Sequence, residues 1–237
     1  MPLFEELGRE TTPMGEISLR RRWHPGLEVE LHEVRLDEEF LMSSLFTVAE
    51  EELAHLGLAA AEGDALDVVV GGLGLGCTAA AALQDARVGS LTVVDALGAV
   101  IDWHRDGLLP LSAALTDDAR CRLVEGDVFA LVADGVLGPE TPWPCDAFLL
   151  DVDHTPRNVL HPSHAPFYEA DGLARMAGLL RPGGVFALWS DDPPDEAFLA
   201  TLDEVLPGPE AHVVAFPNPA TGGESANTVY VARRPPG

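Results

Sequence analysis

The sequence predicts an α/β domain, a doubly wound and mostly parallel seven-stranded sheet, preceded by a small N-terminal β-hairpin module. Three observations lead there. Short continuous apolar runs, such as Asp67-Val-Val-Val and Ala147-Phe-Leu-Leu, alternate with helical patterns, as strands covered on both faces do. The first forty residues follow a different period, with apolar and polar residues alternating. Between the two styles lies Gly71-Gly-Leu-Gly-Leu-Gly76, a strand-to-helix turn of the kind that nucleotide-binding sheets use. A chain of 237 residues can bury one large core and carry a small attachment. The expected division is a hairpin-and-helix module over 1–60 and a ligand-binding domain over 61–237.

Taken in order, Glu16-Ile-Ser-Leu-Arg and Leu27-Glu-Val-Glu-Leu-His-Glu-Val alternate around the turn His24-Pro-Gly and form a hairpin. From Ser43 to Leu58 the spacing of Leu45, Val48, Leu53 and Leu56 is helical. The strand at Asp67 leads through the glycines into an Ala-rich helix from about Thr78 to Gln84. Strands follow at Leu91-Thr-Val-Val, Arg122-Leu-Val-Glu and Ala147-Phe-Leu-Leu. A helix around 170–180 stops at Arg181-Pro-Gly-Gly, before the strand Val185-Phe-Ala-Leu-Trp. A last helix, about 195–205, precedes two strands near 211–216 and 228–232, an antiparallel pair at one sheet edge.

The formal net charge is −25, and all 14 basic residues are Arg. Such an acidic chain makes a poor partner for a nucleic-acid backbone, which needs clustered positive charge, and suits small cationic ligands. Arg20-Arg-Arg22, in an expected strand, is too short to offset the rest. No apolar run reaches the roughly 18 residues of a membrane span, and MPLFEELGRE lacks the form of a secretory leader, so the expected compartment is the cytoplasm. Cys77, Cys121 and Cys145 lack metal-ligand spacing and read as free thiols.

In an open parallel sheet the ligand lies beyond the carboxyl ends of the strands, so what ends each strand matters most. Gly71, Gly72, Gly74 and Gly76 let backbone approach a ligand closely. Asp95 ends the next strand about 20 residues on, where an acid grips ribose hydroxyls. Asp127, after Gly126, is placed to accept from an adenine amino group; taken singly, Asp95 and Asp127 each have the plainer alternative of a helix cap or solvated turn. Together the three features fit an S-adenosyl nucleoside. Asp151 ends the fourth strand, with Asp153 and His154 just beyond, and can orient or deprotonate an amine nucleophile. His154, His161 and His164 lie in the segment HTPRNVLHPSHAPFY, which is either a lid or a surface loop and matches no common metal motif. Trp189, Asp191 and Asp192, past the fifth strand, are candidates for the acceptor pocket, as is Tyr168.

On these residues the chain resembles the spermidine synthase family, the polyamine aminopropyltransferases. The N-terminal hairpin with Asp37-Glu-Glu-Phe, the Gly71-Gly turn, Val94-Asp95, Gly126-Asp127, Leu150-Asp151, Phe167-Tyr168 and Pro182-Gly-Gly follow that family's order. The resemblance implies that Asp95 holds the ribose, Asp127 the adenine, and that Asp151 activates the amine. Three positions depart from it. Leu73-Gly-Leu75 lacks the glycine-loop aspartate, Leu41-Met-Ser-Ser-Leu lacks the Tyr-Gln pair, and His154 stands in place of a second signature aspartate. The missing loop aspartate removes a charge that would repel a carboxylate.

Methyl transfer from S-adenosylmethionine to a small amine-bearing acceptor is therefore the first expectation. Aminopropyl transfer from decarboxylated S-adenosylmethionine is the alternative, then aminocarboxypropyl transfer or cyclisation, then a non-catalytic nucleoside-binding protein. No metal is expected, and a homodimer joined through the 16–36 hairpin is, because exposed strand edges pair readily.

Overall fold

The computed structural model of the chain describes residues 4–135, 143–219 and 221–237. Strands β5 (Leu66–Gly71), β6 (Val88–Asp95), β7 (Cys121–Glu125), β8 (Cys145–Leu150), β9 (Leu180–Ser190), β10 (Glu210–Asn218) and β11 (Gly223–Arg233) form one sheet in the order β10-β11-β9-β8-β5-β6-β7. The five strands from β9 to β7 are parallel, and β11 and β10 continue the sheet antiparallel at one edge. The central strands read as unbroken apolar runs because both of their faces are covered: Val68, Val69, Val70, Phe148, Leu149 and Leu150 have no exposed surface. Each such side chain contributes roughly 1.5–3 kcal/mol by leaving water.

Helices α1 (Val48–Ala60), α2 (Cys77–Gln84), α3 (Gly98–Arg105) and α4 (Ser112–Thr116) belong to one face; α5 (Val128–Asp134), α6 (Ala170–Gly178) and α7 (Glu196–Val205) cover the other. α1, expected as part of the N-terminal module, lies against β9 and β11 and beside α2. α2 is built of alanines because it packs flat on the sheet, with Ala79, Ala81 and Ala82 buried.

The N-terminal module is larger than a hairpin. β1 (Phe4–Thr12), β2 (Gly15–His24), β3 (Val29–Leu36) and β4 (Glu39–Ser43) form a four-stranded antiparallel meander. The predicted hairpin is its middle pair, so the 16–36 edges expected to join a dimer are already covered by β1 and β4. Arg21 and Arg22 are ion-paired with Glu5 and Glu33 inside this sheet. The helix expected from Ser43 begins at Val48, because residues 39–43 pair with β3. Arg181-Pro-Gly-Gly, read as a helix stop, instead opens β9: the register against β8 shifts there, and Gly183 sits at φ 80°.

No helix among the described residues is long and apolar enough to cross a membrane.

Candidate active site

The site is built where β5, β6, β7 and β8 end. At Gly72 the chain takes φ 95°, and its N–H donates to the Val94 carbonyl at 2.8 Å. A Cβ at Gly72 would overlap the Asp151 carbonyl oxygen, so only glycine lets the β5 turn lie this close to the end of β8. The next N–H, of Leu73, donates to Asp95 Oδ2 at 2.8 Å, and Leu97 N–H donates to Asp95 Oδ1 at 2.8 Å. Asp95 thus ties the glycine turn to the start of α3. Burial pushes its pKa up, and these backbone N–H groups pull it back. The Gly74 carbonyl accepts from Nε2 of the fully buried His104 at 3.0 Å. Burial lowers the His104 pKa, which keeps that imidazole neutral.

Asp127 is the N-cap of α5: its Oδ1 accepts from Phe129 N–H at 2.9 Å and Ala130 N–H at 3.1 Å. The capping carboxylate also borders the cavity described below.

Asp151 lines the same cavity. Its Oδ2 accepts from the Thr78 hydroxyl at 2.6 Å, and Thr78 Oγ1 also lies 3.2 Å from the Glu50 carbonyl. Thr78 therefore stands between Asp151 and the first turn of α1. Burial raises the Asp151 pKa, and the Thr78 bond moderates the rise. Glu50 is raised further, by burial first and then by the charge of Asp151. Cys77, beside them, is pushed up to about 12 by burial, Glu50 and Asp151, and so remains a thiol.

The segment after β8 behaves differently from expectation at Asp153 and Tyr168. Asp153 is buried and turned away from the cavity: Oδ1 accepts from Leu160 N–H at 2.7 Å and pairs with His164 Nδ1 at 2.8 Å, while Oδ2 accepts from the Tyr168 hydroxyl at 2.8 Å. With three partners it holds the 154–168 segment in shape. Tyr168 is consumed in that network and packs against Phe129 and Phe198 rather than lining the cavity. His164 does reach the cavity, stacked on Phe129 with ring centroids 4.0 Å apart. His154 also lines it, with Nε2 2.9 Å from Glu39 Oε1 on β4, linking the segment to the N-terminal sheet. Asp191 and Asp192 are exposed; Asp191 accepts from Asn227 Nδ2 at 2.7 Å, and neither borders the cavity. Trp189 does border it.

The glycine turn, Asp95, Asp127, Asp151, His154, His164 and Trp189 border a cavity of about 430 Å³, within the size range of small-molecule sites. Among the described residues its acids are Glu50, Asp95, Asp127 and Asp151, and no Arg lines it. Met14, Leu41 and Met42 of the N-terminal module form an apolar wall. Among the described residues no three His, Cys, Asp or Glu side chains converge as a metal site.

Glu50 and Met42 escaped the sequence reading. Glu50 sits in the run Glu50-Glu-Glu52, which reads as a solvated helix face, and no local signal separates it from its neighbours. Met42 fills the space beside the glycine turn: a Cβ at Gly74 would come within 2.6 Å of its sulfur.

No protein-family model matches the chain. Solved structures do. Spermidine synthase from Thermotoga maritima superposes with a TM-score of 0.72 at 17% identity, over 97% of this chain and 72% of that one. A spermidine synthase in complex with the transition-state analogue AdoDATO gives 0.74 at 16% identity, over 97% and 73%. A probable spermidine synthase from Corynebacterium glutamicum gives 0.64 at 16% identity, over 98% and 81%. The fold is that of the spermidine synthases, N-terminal sheet included.

Proposed function

We propose that the chain is an aminopropyltransferase that uses a decarboxylated S-adenosyl nucleoside and a small amine acceptor. The observation that carries this is a cavity lined, among the described residues, by Asp151, Glu50, Asp95 and Asp127 and by no Arg to receive an anion. The likeness of fold to spermidine synthases, one of them solved with a transition-state analogue, supports the same choice. Methyl transfer, the first expectation from the sequence, needs a place for the methionine carboxylate of the intact nucleoside. Three of the turn's N–H groups are already bonded: Gly72 to Val94, Leu73 to Asp95 and Gly76 to the Leu73 carbonyl. The acids beside them repel that group.

In this reading Asp95 and Asp127 receive the ribose and adenine, as the family resemblance implies. The acceptor amine attacks the arm carbon next to the sulfonium; the new C–N bond forms as the C–S bond breaks, and the sulfur leaves as a neutral thioether. The nitrogen sheds one proton, and Asp151, ionised, takes it. Holding amine and sulfonium together supplies much of the acceleration, because alignment removes the entropic cost of their encounter. His154, at the cavity edge on a tether to Glu39, is a positioning residue over the acceptor.

The test is product analysis by mass spectrometry with the decarboxylated nucleoside and a diamine such as putrescine. The expected outcome is an aminopropylated amine and one equivalent of methylthioadenosine. A methylated amine formed from intact S-adenosylmethionine, with no product from the decarboxylated form, would overturn the proposal.

A further inference from the structure

We infer that Glu50 is the specificity-determining carboxylate of this site: it receives the terminal ammonium of the nucleoside arm and turns away an arm that carries a carboxylate. This rests on the transferase reading above and adds a residue which neither the sequence pattern nor the resemblance assigns.

The glycine turn has no acid, and at Gly74 the nearest space is occupied by Met42 from β4. Glu50 instead comes from the first turn of α1 and borders the same cavity as Asp151 and Cys77. The Thr78 hydroxyl sets the spacing: it binds Asp151 Oδ2 at 2.6 Å and lies 3.2 Å from the Glu50 backbone carbonyl. α1 cannot shift away, since Leu53 and Ala54 on its inner face are fully buried.

Next comes charge. Two carboxyl groups share this end of the cavity, and no Arg lines it to neutralise them. The ionised pair is costly when the site is empty, so it holds a proton: burial raises both groups, and the charges of Asp151, Glu51 and Asp191 raise Glu50 further. A ligand with a sulfonium and an ammonium supplies the missing charge and releases that proton. An arm that also bears a carboxylate brings a third negative group to the same end, with the Gly72, Leu73 and Gly76 N–H groups already bonded. Discrimination here comes from repulsion as much as from attraction. The pair divides the work: Asp151, at the end of β8, faces the reacting centre, and Glu50, nearer the α2 terminus with Cys77, faces the end of the arm.

The test is calorimetric titration of the intact protein and of Glu50→Gln with S-adenosylmethionine and with its decarboxylated form. Wild type is expected to favour the decarboxylated nucleoside by at least about tenfold, the worth of one close charge pair. In Glu50→Gln the ratio collapses toward one, through weaker binding of the decarboxylated form and tighter binding of the intact one. A second readout needs no variant: in buffers of differing ionisation enthalpy near neutral pH, wild type releases protons on binding the decarboxylated form. A folded Glu50→Gln that keeps the full preference would overturn the role of Glu50 and leave the transferase reading standing. Wild type without any preference would overturn both, and absence of proton release in wild type would overturn the assignment whatever the variant does.

Discussion

Among the described residues Asp151 has one side-chain partner, the Thr78 hydroxyl, and its burial raises its pKa; both suit the part of proton acceptor that the proposed reaction gives it. Asp151→Asn is expected to lower turnover about 10²–10⁴-fold, the usual worth of a general base, with nucleoside affinity within a few-fold of wild type by calorimetry. Loss of binding equal to the loss of turnover would make the residue a ligand contact instead. Turnover should rise with pH through a midpoint above the ordinary carboxylate range, because the base works only when ionised. Stability runs the other way. A carboxyl whose folded pKa is raised binds more protons when folded, so between its ordinary and raised values stability falls as pH rises. Glu50→Gln removes that liability. Its melting temperature should exceed wild type above the raised Glu50 pKa, by about 2–4 °C per kcal/mol relieved, and the gain should vanish in acid. A gain that persists at low pH would show another origin.

The 154–168 segment is ordered by three bonds converging on Asp153, from Leu160, His164 and Tyr168. Burial and the adjacent Asp153 carboxylate keep the Tyr168 phenol protonated, as a donor in this network must be. Asp153→Ala leaves two buried groups, His164 and Tyr168, and the half-buried Leu160 N–H without a partner, a cost of roughly 1–3 kcal/mol for each buried one if none rearranges. Hydrogen exchange over 154–168 should accelerate and KM rise, with kcat affected less. Unchanged exchange with a collapse of kcat would return Asp153 to the catalytic set. At the β5 turn the constraint is steric: Gly72→Ala forces a Cβ onto the Asp151 carbonyl at a left-handed φ. Denaturant titration should show a loss of at least about 1–3 kcal/mol, together with loss of nucleoside binding. A variant as stable as wild type would mean that the turn and the end of β8 separate at little cost.

Across the molecule, a net charge of −25 surrounds a cavity whose own lining is acidic. Cations are drawn to such a field, and salt weakens it over a screening length of about 10 Å at 0.1 M. Stopped-flow association of the decarboxylated nucleoside should slow roughly tenfold or more between low and high salt, while neutral methylthioadenosine associates at nearly constant rate. Equal salt dependence for the two would remove charge steering from the account.

The sequence by itself determined the parallel sheet, its antiparallel edge, the glycine turn, and Asp95, Asp127 and Asp151 at successive strand ends. Those are local patterns, and the topology of parallel sheets brings strand ends to one crevice whatever the side chains between them. The tertiary structure decided what the side chains then do. Asp153 and His154 are neighbours in sequence, yet backbone geometry turns one inward to three partners and the other toward Glu39. Asp191 and Asp192 follow Trp189 closely but lie outside the cavity that it borders. Along Glu50-Glu-Glu52 the letters are the same, and only the rotation of α1 against the sheet makes Glu50 the one that lines the cavity while Glu51 stays exposed. A strand end is set by its own residues; the direction of a side chain on a packed helix is set by what the helix packs against.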